Sequence, residues 1–167
     1  GGPLVIEGPD GNTPVSYQNE NITLDVESGD LGDVENGAPG ALTNTAANDL
    51  MRQTLKLWND VPTSKLKSSL VNSINVDVNG GNDGKYIPDN FNLNPLIYDS
   101  DGSIIVDFFG EQSNSILGFA ASSVATEGSH FKAGFIVING SIKNISPTEY
   151  KLLFAHEIGH FFGLDHS

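Results

Sequence analysis

The chain has 167 residues, a length that fits one domain with a sizeable hydrophobic core, and we predict a single domain over residues 1–167. Eight Lys and Arg stand against 21 Asp and Glu, and the net charge of -13 argues against partners such as nucleic acid and anionic membrane surfaces. Because there is no Cys, disulfides and thiolate ligands are excluded, and any metal must be held by His or carboxylate side chains.

The first half of the chain predicts short strands and one long helix. Apolar runs between turn residues favour strands at residues 4–7, 15–18 and 22–26. Apolar residues at three- and four-residue spacing predict a helix over residues 44–61, which Pro62 ends. The alternating residues 74–78 predict another strand, and a loop should follow over residues 79–94.

The polar segment Asp99-Ser100-Asp101-Gly102-Ser103, together with Asp107, allows two interpretations. Its carboxylate and carbonyl oxygens could bind Ca²⁺, although the spacing does not match an EF-hand. Asp and Gly are also common turn formers, so the segment could simply reverse the chain. The sequence favours the turn and leaves calcium as the alternative.

The second half predicts two strands and a well-defined helix. Apolar runs predict strands at residues 116–121 and 131–138. Ser146, Pro147 and Glu149 form the pattern of a capping box, so a helix should begin there. Its buried stripe is formed by Tyr150, Leu153, Phe154, Ile158 and Phe161. Gly163, which can adopt φ > 0, should end this helix.

This helix carries His156-Glu157-Ile158-Gly159-His160. At 3.6 residues per turn, His156 and His160 project from one face, so both imidazoles can bind one metal. Glu157 lies about 100° around the helix, within reach of a water molecule on that metal. Gly163 lets the chain turn back, so His166 can complete three zinc ligands and leave one position open. The alternative is that these histidines are ordinary helix residues, and the fixed offsets of Gly163 and His166 disfavour it.

The segment HEIGHFFGLDHS resembles the HExxHxxGxxH signature of metzincin metallopeptidases, and Ser167 makes it most similar to bacterial-type matrixins. TLKLWNDVPTSKL resembles the end of that family's first long helix. ILGFAAS, at residues 116–122, resembles its substrate-binding edge strand, and GSHFKAGFIVING, at residues 128–140, resembles the strand and loop that follow. The resemblance implies an α/β fold of the α+β kind. We therefore expect a twisted, mostly parallel sheet with an antiparallel edge strand, a backing helix and an active-site helix.

The resemblance also implies a secreted, matrixin-like metalloendopeptidase, extracellular or at the cell surface, that cleaves extracellular matrix or other extracellular proteins. Zinc would be bound by His156, His160 and His166, and Glu157 would be the general base that activates a zinc-bound water and then protonates the leaving amine. A substrate would pair with the strand at residues 116–121 by β-addition. Its contacts would be Leu117, Gly118, Phe119 and Ala120. A plain core strand is the alternative.

Three further expectations concern the whole molecule. The chain ends at Ser167, so we expect the fold to be truncated after the third zinc ligand, without the family's Met-containing turn. We expect a monomer that binds protein or peptide substrates. We expect no membrane association, because no run of about 18 apolar residues is present. The rival hypothesis is a catalytically inactive, metal-stabilised binding or adhesion module, in which Glu157 would be dispensable.

Overall fold

The computed structural model describes residues 4–5, 16–17, 21–62, 66–87, 92–124 and 130–165. In chain order, the elements in these ranges are β1 (Leu4–Val5), β2 (Ser16–Tyr17), β3 (Asn21–Val26), α1 (Asn44–Asn59), β4 (Lys67–Val71), β5 (Pro95–Asp99), α2 (Ser103–Phe109), β6 (Gly118–Val124), β7 (His130–Asn139), α3 (Pro147–Phe161) and β8 (Leu164–Asp165). Short 3₁₀ helices occupy Asp83–Lys85 and Gly110–Ser115.

Six strands form one sheet. Five of them follow the order β2-β7-β5-β3-β4 and are parallel, and β6 pairs with β7 in the antiparallel direction. Within the described part of the chain β6 pairs with β7 alone, so it is an edge strand. Strands β1 and β8 form a separate antiparallel pair. The expected mostly parallel sheet with an antiparallel edge strand is therefore confirmed.

The sheet is covered on both faces, and strand β5 shows this most clearly. All five of its residues are buried, as expected for a strand of a parallel sheet between two layers of helices. Leu96 and Tyr98 pack in the apolar cluster that contains the buried faces of α1 and α3. Ile97 packs in a second cluster with Ile104 and Ile105 of α2. Helices α1 and α3 therefore share one face of the sheet, and α2 lies on the other.

The two long helices begin where the sequence predicted. The Thr43 hydroxyl accepts a hydrogen bond from the Ala46 amide at 3.1 Å and caps α1, which ends at Asn59, two residues before the predicted end. In α3, the Ser146 hydroxyl accepts from the Glu149 amide at 3.2 Å, and the Glu149 carboxylate accepts from the Ser146 amide at 3.4 Å. The predicted capping box is confirmed. None of the helices in the described ranges has the length and apolar character needed to cross a membrane.

The predicted strand at residues 74–78 is wrong. Strand β4 lies earlier, at Lys67–Val71, and pairs in parallel with β3. Residues 74–78 instead cross the end of β3: the Ile74 amide donates to the Val26 carbonyl at 3.2 Å, and the Ser28 amide donates to the Val76 carbonyl at 3.1 Å. Ile74 and Val78 are buried but Val76 is 40% exposed, so the alternating pattern does not correspond to one buried face of a strand.

The other strand predictions agree in place with the observed strands. β1, β2 and β3 fall in or near the predicted residues 4–7, 15–18 and 22–26, although residues 6–15 and 18–20 lie outside the described ranges. β6 and β7 correspond to the predicted strands at residues 116–121 and 131–138. Strand β5 and helix α2 were not predicted.

Candidate metal centre

Helix α3 brings His156 and His160 together on one face. Their Nε2 atoms are 3.0 Å apart, and their rings are nearly perpendicular, with centroids 4.6 Å apart. Two nitrogens bound to one zinc at about 2.0–2.1 Å in a tetrahedral arrangement would be about 3.3 Å apart. The pair is therefore close to the spacing that a shared zinc ion requires.

The main-chain contact of His160 indicates its tautomer. Its Nδ1 lies 2.7 Å from the carbonyl oxygen of Leu164, and a carbonyl can only accept a hydrogen bond. We therefore assign the proton of neutral His160 to Nδ1, which leaves a lone pair on Nε2, the atom that faces His156. Metal-binding histidines are commonly held in this way, with one nitrogen donating to a carbonyl and the other bound to the metal.

Glu157 lies beside the histidine pair and is 4% exposed. Its Oε2 has no hydrogen-bond partner within the described structure, and burial raises the pKa of Glu157 to about 7. A buried oxygen without a partner is unusual in a folded protein and fits a position at which a bound ligand supplies the contact. A carboxyl with a pKa near neutrality can both accept and release a proton. The donor set and this carboxyl fit a zinc site with an adjacent general base.

The predicted third ligand lies beyond the described part of the chain. Among the residues that the structure describes, no group of three or more His, Asp or Glu side chains is arranged to hold a metal. The described site is therefore the pair of His156 and His160. Gly163 has φ of 92° and turns the chain after α3 as predicted, and β8 ends at Asp165, one residue before His166. The role of His166 stays a prediction.

The histidine pair opens onto a cleft of about 790 Å³ between α3 and the edge strand β6. The cleft is lined by Phe109, Ser115, Ile116, Leu117, Gly118, Phe119, Ala120, Glu149, Leu152, Leu153, His156, Glu157 and His160. It therefore brings all four predicted substrate contacts together with His156, Glu157 and His160. Leu117 is 43% exposed. Strand β6 lies at the edge of the sheet and does not occupy the position of a central core strand. Peptide binding by these four residues stays a prediction.

Several residues that line the cleft were not predicted from the sequence as part of the site. Phe109 belongs to α2, a helix that was not predicted, and it packs edge-on against Phe119 with ring centroids 5.2 Å apart. Glu149, Leu152 and Leu153 lie on α3 one or two turns before His156. Helical spacing from His156 could have identified these three, because residues three, four and seven positions apart share a face.

Gly118 is the point at which the edge strand approaches Glu157. A Cβ atom on this glycine would lie 2.8 Å from the carbonyl oxygen of Val137 and 3.4 Å from Cγ of Glu157. The first distance is too short for any side chain without a shift of the backbone. A glycine at residue 118 therefore allows β6 to pair with β7 while it passes directly beside Glu157.

The segment proposed as a calcium alternative forms a turn and the start of α2. The Asp99 carboxylate accepts a hydrogen bond from the Ile105 amide at 2.9 Å, and the Asp101 carboxylate accepts from the amide and hydroxyl of Ser103. Gly102 has φ of 76°. These contacts are those of the predicted turn, and no metal-binding group involving Asp107 is found in the described part of the chain. They give no support to calcium.

A family comparison identifies the chain. The model of the reprolysin-like metallopeptidases of family M12B matches residues 41–167, a range that includes α1, the sheet from β4 onward and α3 with both histidines. Comparisons with curated proteins and with solved structures gave no match. The resemblance to a metallopeptidase is confirmed, but the family is the reprolysin-like one and not specifically the matrixins. Because the match spans more than half of its length, the chain belongs to the reprolysin-like metallopeptidase family M12B.

Proposed function

We propose that this chain is a catalytically competent, zinc-dependent endopeptidase that hydrolyses peptide bonds of extracellular proteins. The observation that carries the proposal is the meeting of three groups in one cleft. The Nε2 atoms of His156 and His160 lie 3.0 Å apart, and the buried carboxyl of Glu157, whose Oε2 has no hydrogen-bond partner in the described structure, lines the same cleft. Two metal ligands and a proton acceptor on one helix are parts of the site that metal-assisted hydrolysis requires, and the predicted His166 would be the third ligand.

Strand β6 supports the binding of an extended peptide. Its edge away from β7 has no strand partner in the described residues, and it lines the cleft that contains both histidines. A peptide added along this edge would hydrogen-bond to the main chain between Leu117 and Ala120. The exposed side chains of Leu117 and Leu152 would then contact apolar side chains of the substrate.

The proton transfers are assigned to Glu157. His156, His160 and the predicted ligand His166 would hold the zinc ion, which would act as a Lewis acid toward the scissile carbonyl and would lower the pKa of a water molecule. Glu157 would accept the proton of the attacking water, because its carboxyl lines the same cleft as both histidines. The same carboxyl then donates the proton to the leaving amine.

The replacement Glu157→Gln tests this assignment. It keeps the size of the side chain and both histidines but removes the proton acceptor, so cleavage of an unstructured protein substrate should fall by at least about 100-fold. Zinc affinity should be retained. Glu35→Gln, which removes an acidic group from an exposed position, is the control and should leave turnover unchanged. Turnover retained by Glu157→Gln would show that another group is the base. Zinc binding without any turnover by the unmodified protein would instead favour the inactive binding module.

We also propose that the protein is secreted and acts as a monomer on protein or peptide substrates. The resemblance to secreted metallopeptidases is the support for the extracellular setting, and the net charge of -13 favours solubility. Recovery of the native protein from the culture medium, and its molar mass by light scattering, would test the two statements separately.

A further inference from the structure

We propose that Trp58 is a positioning residue of the zinc site, acting through Phe162 on the turn that follows α3. Trp58 is the single tryptophan of the chain and lies near the end of α1. The inference rests on the proposed zinc site of His156 and His160, but it does not require that the protein be an active peptidase.

The Trp58 ring contacts α3 between and after the two histidines. A Cβ atom on Gly159 would lie 3.5 Å from Cζ2 of Trp58 and 3.6 Å from Cη2, so the indole faces this glycine across a gap of about one methyl group. Trp58 also meets Phe162 in an edge-on arrangement, with ring centroids 5.7 Å apart and planes at 72°. Trp58 of α1 therefore faces α3 at Gly159 and packs against Phe162, the residue directly after that helix.

Phe162 leads directly into the turn that orients His160. The Phe162 amide donates to the Ile158 carbonyl, and the Gly163 amide donates to the His160 carbonyl, both at 2.9 Å. Two residues after Phe162, the Leu164 carbonyl accepts the hydrogen bond of His160 Nδ1 at 2.7 Å. The place of this turn therefore sets the direction of the His160 ring. The same turn leads toward His166.

The contact between Trp58 and Phe162 restrains the turn that follows α3. The turn consists of few residues, and Gly163 has no side chain with which to anchor it. The large aromatic ring of Trp58 holds the adjacent Phe162 in an edge-on geometry that has a preferred orientation. Groups that orient metal ligands commonly change metal affinity by about 10- to 100-fold when they are removed. Loss of the indole should therefore weaken zinc binding through His160 and the following turn.

The test measures zinc affinity, by competition with a chromophoric chelator at pH 7.5, in Trp58→Ala, Trp58→Phe and Phe162→Leu. We expect the dissociation constant to rise by about 10-fold or more in Trp58→Ala, by less in Phe162→Leu, and least in Trp58→Phe, which keeps an aromatic ring against Phe162. Ala47→Gly is the matched control. It lowers the stability of the same helix about 16 Å from Trp58, at a buried position, and should lower the thermal midpoint but leave zinc affinity unchanged.

Trp58 also provides a spectroscopic readout. Because it is the single indole and lies against the ligand-bearing helix, zinc should change its emission in the unmodified protein with a one-to-one endpoint. His156→Ala should abolish this change.

The proposal is overturned if Trp58→Ala binds zinc as tightly as the unmodified protein. It is also overturned if Ala47→Gly weakens binding as much as Trp58→Ala at an equal loss of thermal midpoint. Absence of zinc binding by the unmodified protein would overturn the zinc site and this inference together. Normal zinc binding without peptidase activity would remove the proposed function alone.

Discussion

At the scale of single residues, Gly118 is a position in the cleft at which the backbone leaves no space for a side chain. This residue pairs with Ile138 of β7, and its α-carbon faces Glu157. A methyl group here would meet a main-chain oxygen at 2.8 Å, and a main-chain oxygen cannot move as the end of a flexible side chain can. The added atom must therefore displace β6, Glu157 or both.

We predict that Gly118→Ala lowers the stability and, more strongly, the activity of the protein. Overpacking of a close contact costs about 1–3 kcal/mol, which urea unfolding would measure. A displacement of about 1 Å between base and substrate strand should lower kcat/KM by roughly 100-fold. Gly84→Ala is the control, because a Cβ at that glycine has no atom within 4 Å. If Gly118→Ala were as stable and active as Gly84→Ala, the close approach of β6 to Glu157 would be wrong.

At the scale of elements, helices with a cap and a periodic apolar stripe were predictable, whereas β5 and α2 were not. The long helices α1 and α3 each begin with a side-chain cap that the sequence places next to a stripe. Strand β5 is buried on both faces, so it lacks the alternation that marks a strand. Helix α2 has seven residues and no side-chain cap, and it follows Gly102 in the left-handed conformation.

The candidate site was predictable to the same extent. The spacing of His156, Glu157 and His160 on a capped helix fixed their geometry in advance, because a helix places residues four apart on one face. Phe109 lines the cleft because α2 packs against the sheet, and no local sequence pattern predicts this packing. The Leu164 carbonyl, which orients His160, is a main-chain group and leaves no mark in the sequence.

The start of α3 gives a prediction at this scale. Ser146→Ala removes the hydroxyl that accepts from the Glu149 amide and should lower the free energy of unfolding by about 1 kcal/mol. Zinc affinity should change little, because the histidines lie in the last turns of the helix. Thr148→Ala, at an exposed position in the same first turn, is the control and should be nearly neutral. Equal unfolding free energies for the two variants would mean that the cap contributes nothing.

At the scale of the whole molecule, the excess of acidic groups extends into the interior. Glu27 is fully buried at the end of β3, where its carboxylate accepts hydrogen bonds from the Val78 amide at 2.5 Å and the Tyr98 amide at 2.8 Å. Burial is the main cause that raises the pKa of Glu27 from its ordinary value of 4.5 to about 8, and the nearby Asp77 charge acts in the same direction. Asp99 is also buried, and its pKa is raised to about 6.

The sign of the resulting pH dependence follows from proton uptake. Between pH 4.5 and 8, the folded protein keeps a proton on Glu27 that the unfolded chain has released, so the stability from this group is full below pH 4.5 and falls as pH rises. The slope from this one group is at most about 1.4 kcal/mol per pH unit, and the fall should end above pH 8.

We therefore predict that Glu27→Gln flattens the dependence of unfolding free energy on pH. The amide keeps one oxygen acceptor where the carboxyl has two for the Val78 and Tyr98 amides, and the cost of this lost hydrogen bond should itself be the same at every pH. Its loss of stability between pH 5 and pH 8 should be smaller than that of the unmodified protein by about 3 kcal/mol. Glu35→Gln removes the same formal charge from an exposed position and should retain the full dependence. Urea unfolding at pH 5, 6.5 and 8 would measure the unfolding free energy of the unmodified protein, Glu27→Gln and Glu35→Gln. Parallel curves for Glu27→Gln and the unmodified protein would show that Glu27 is ionised throughout, with the two amide hydrogen bonds outweighing the cost of burial.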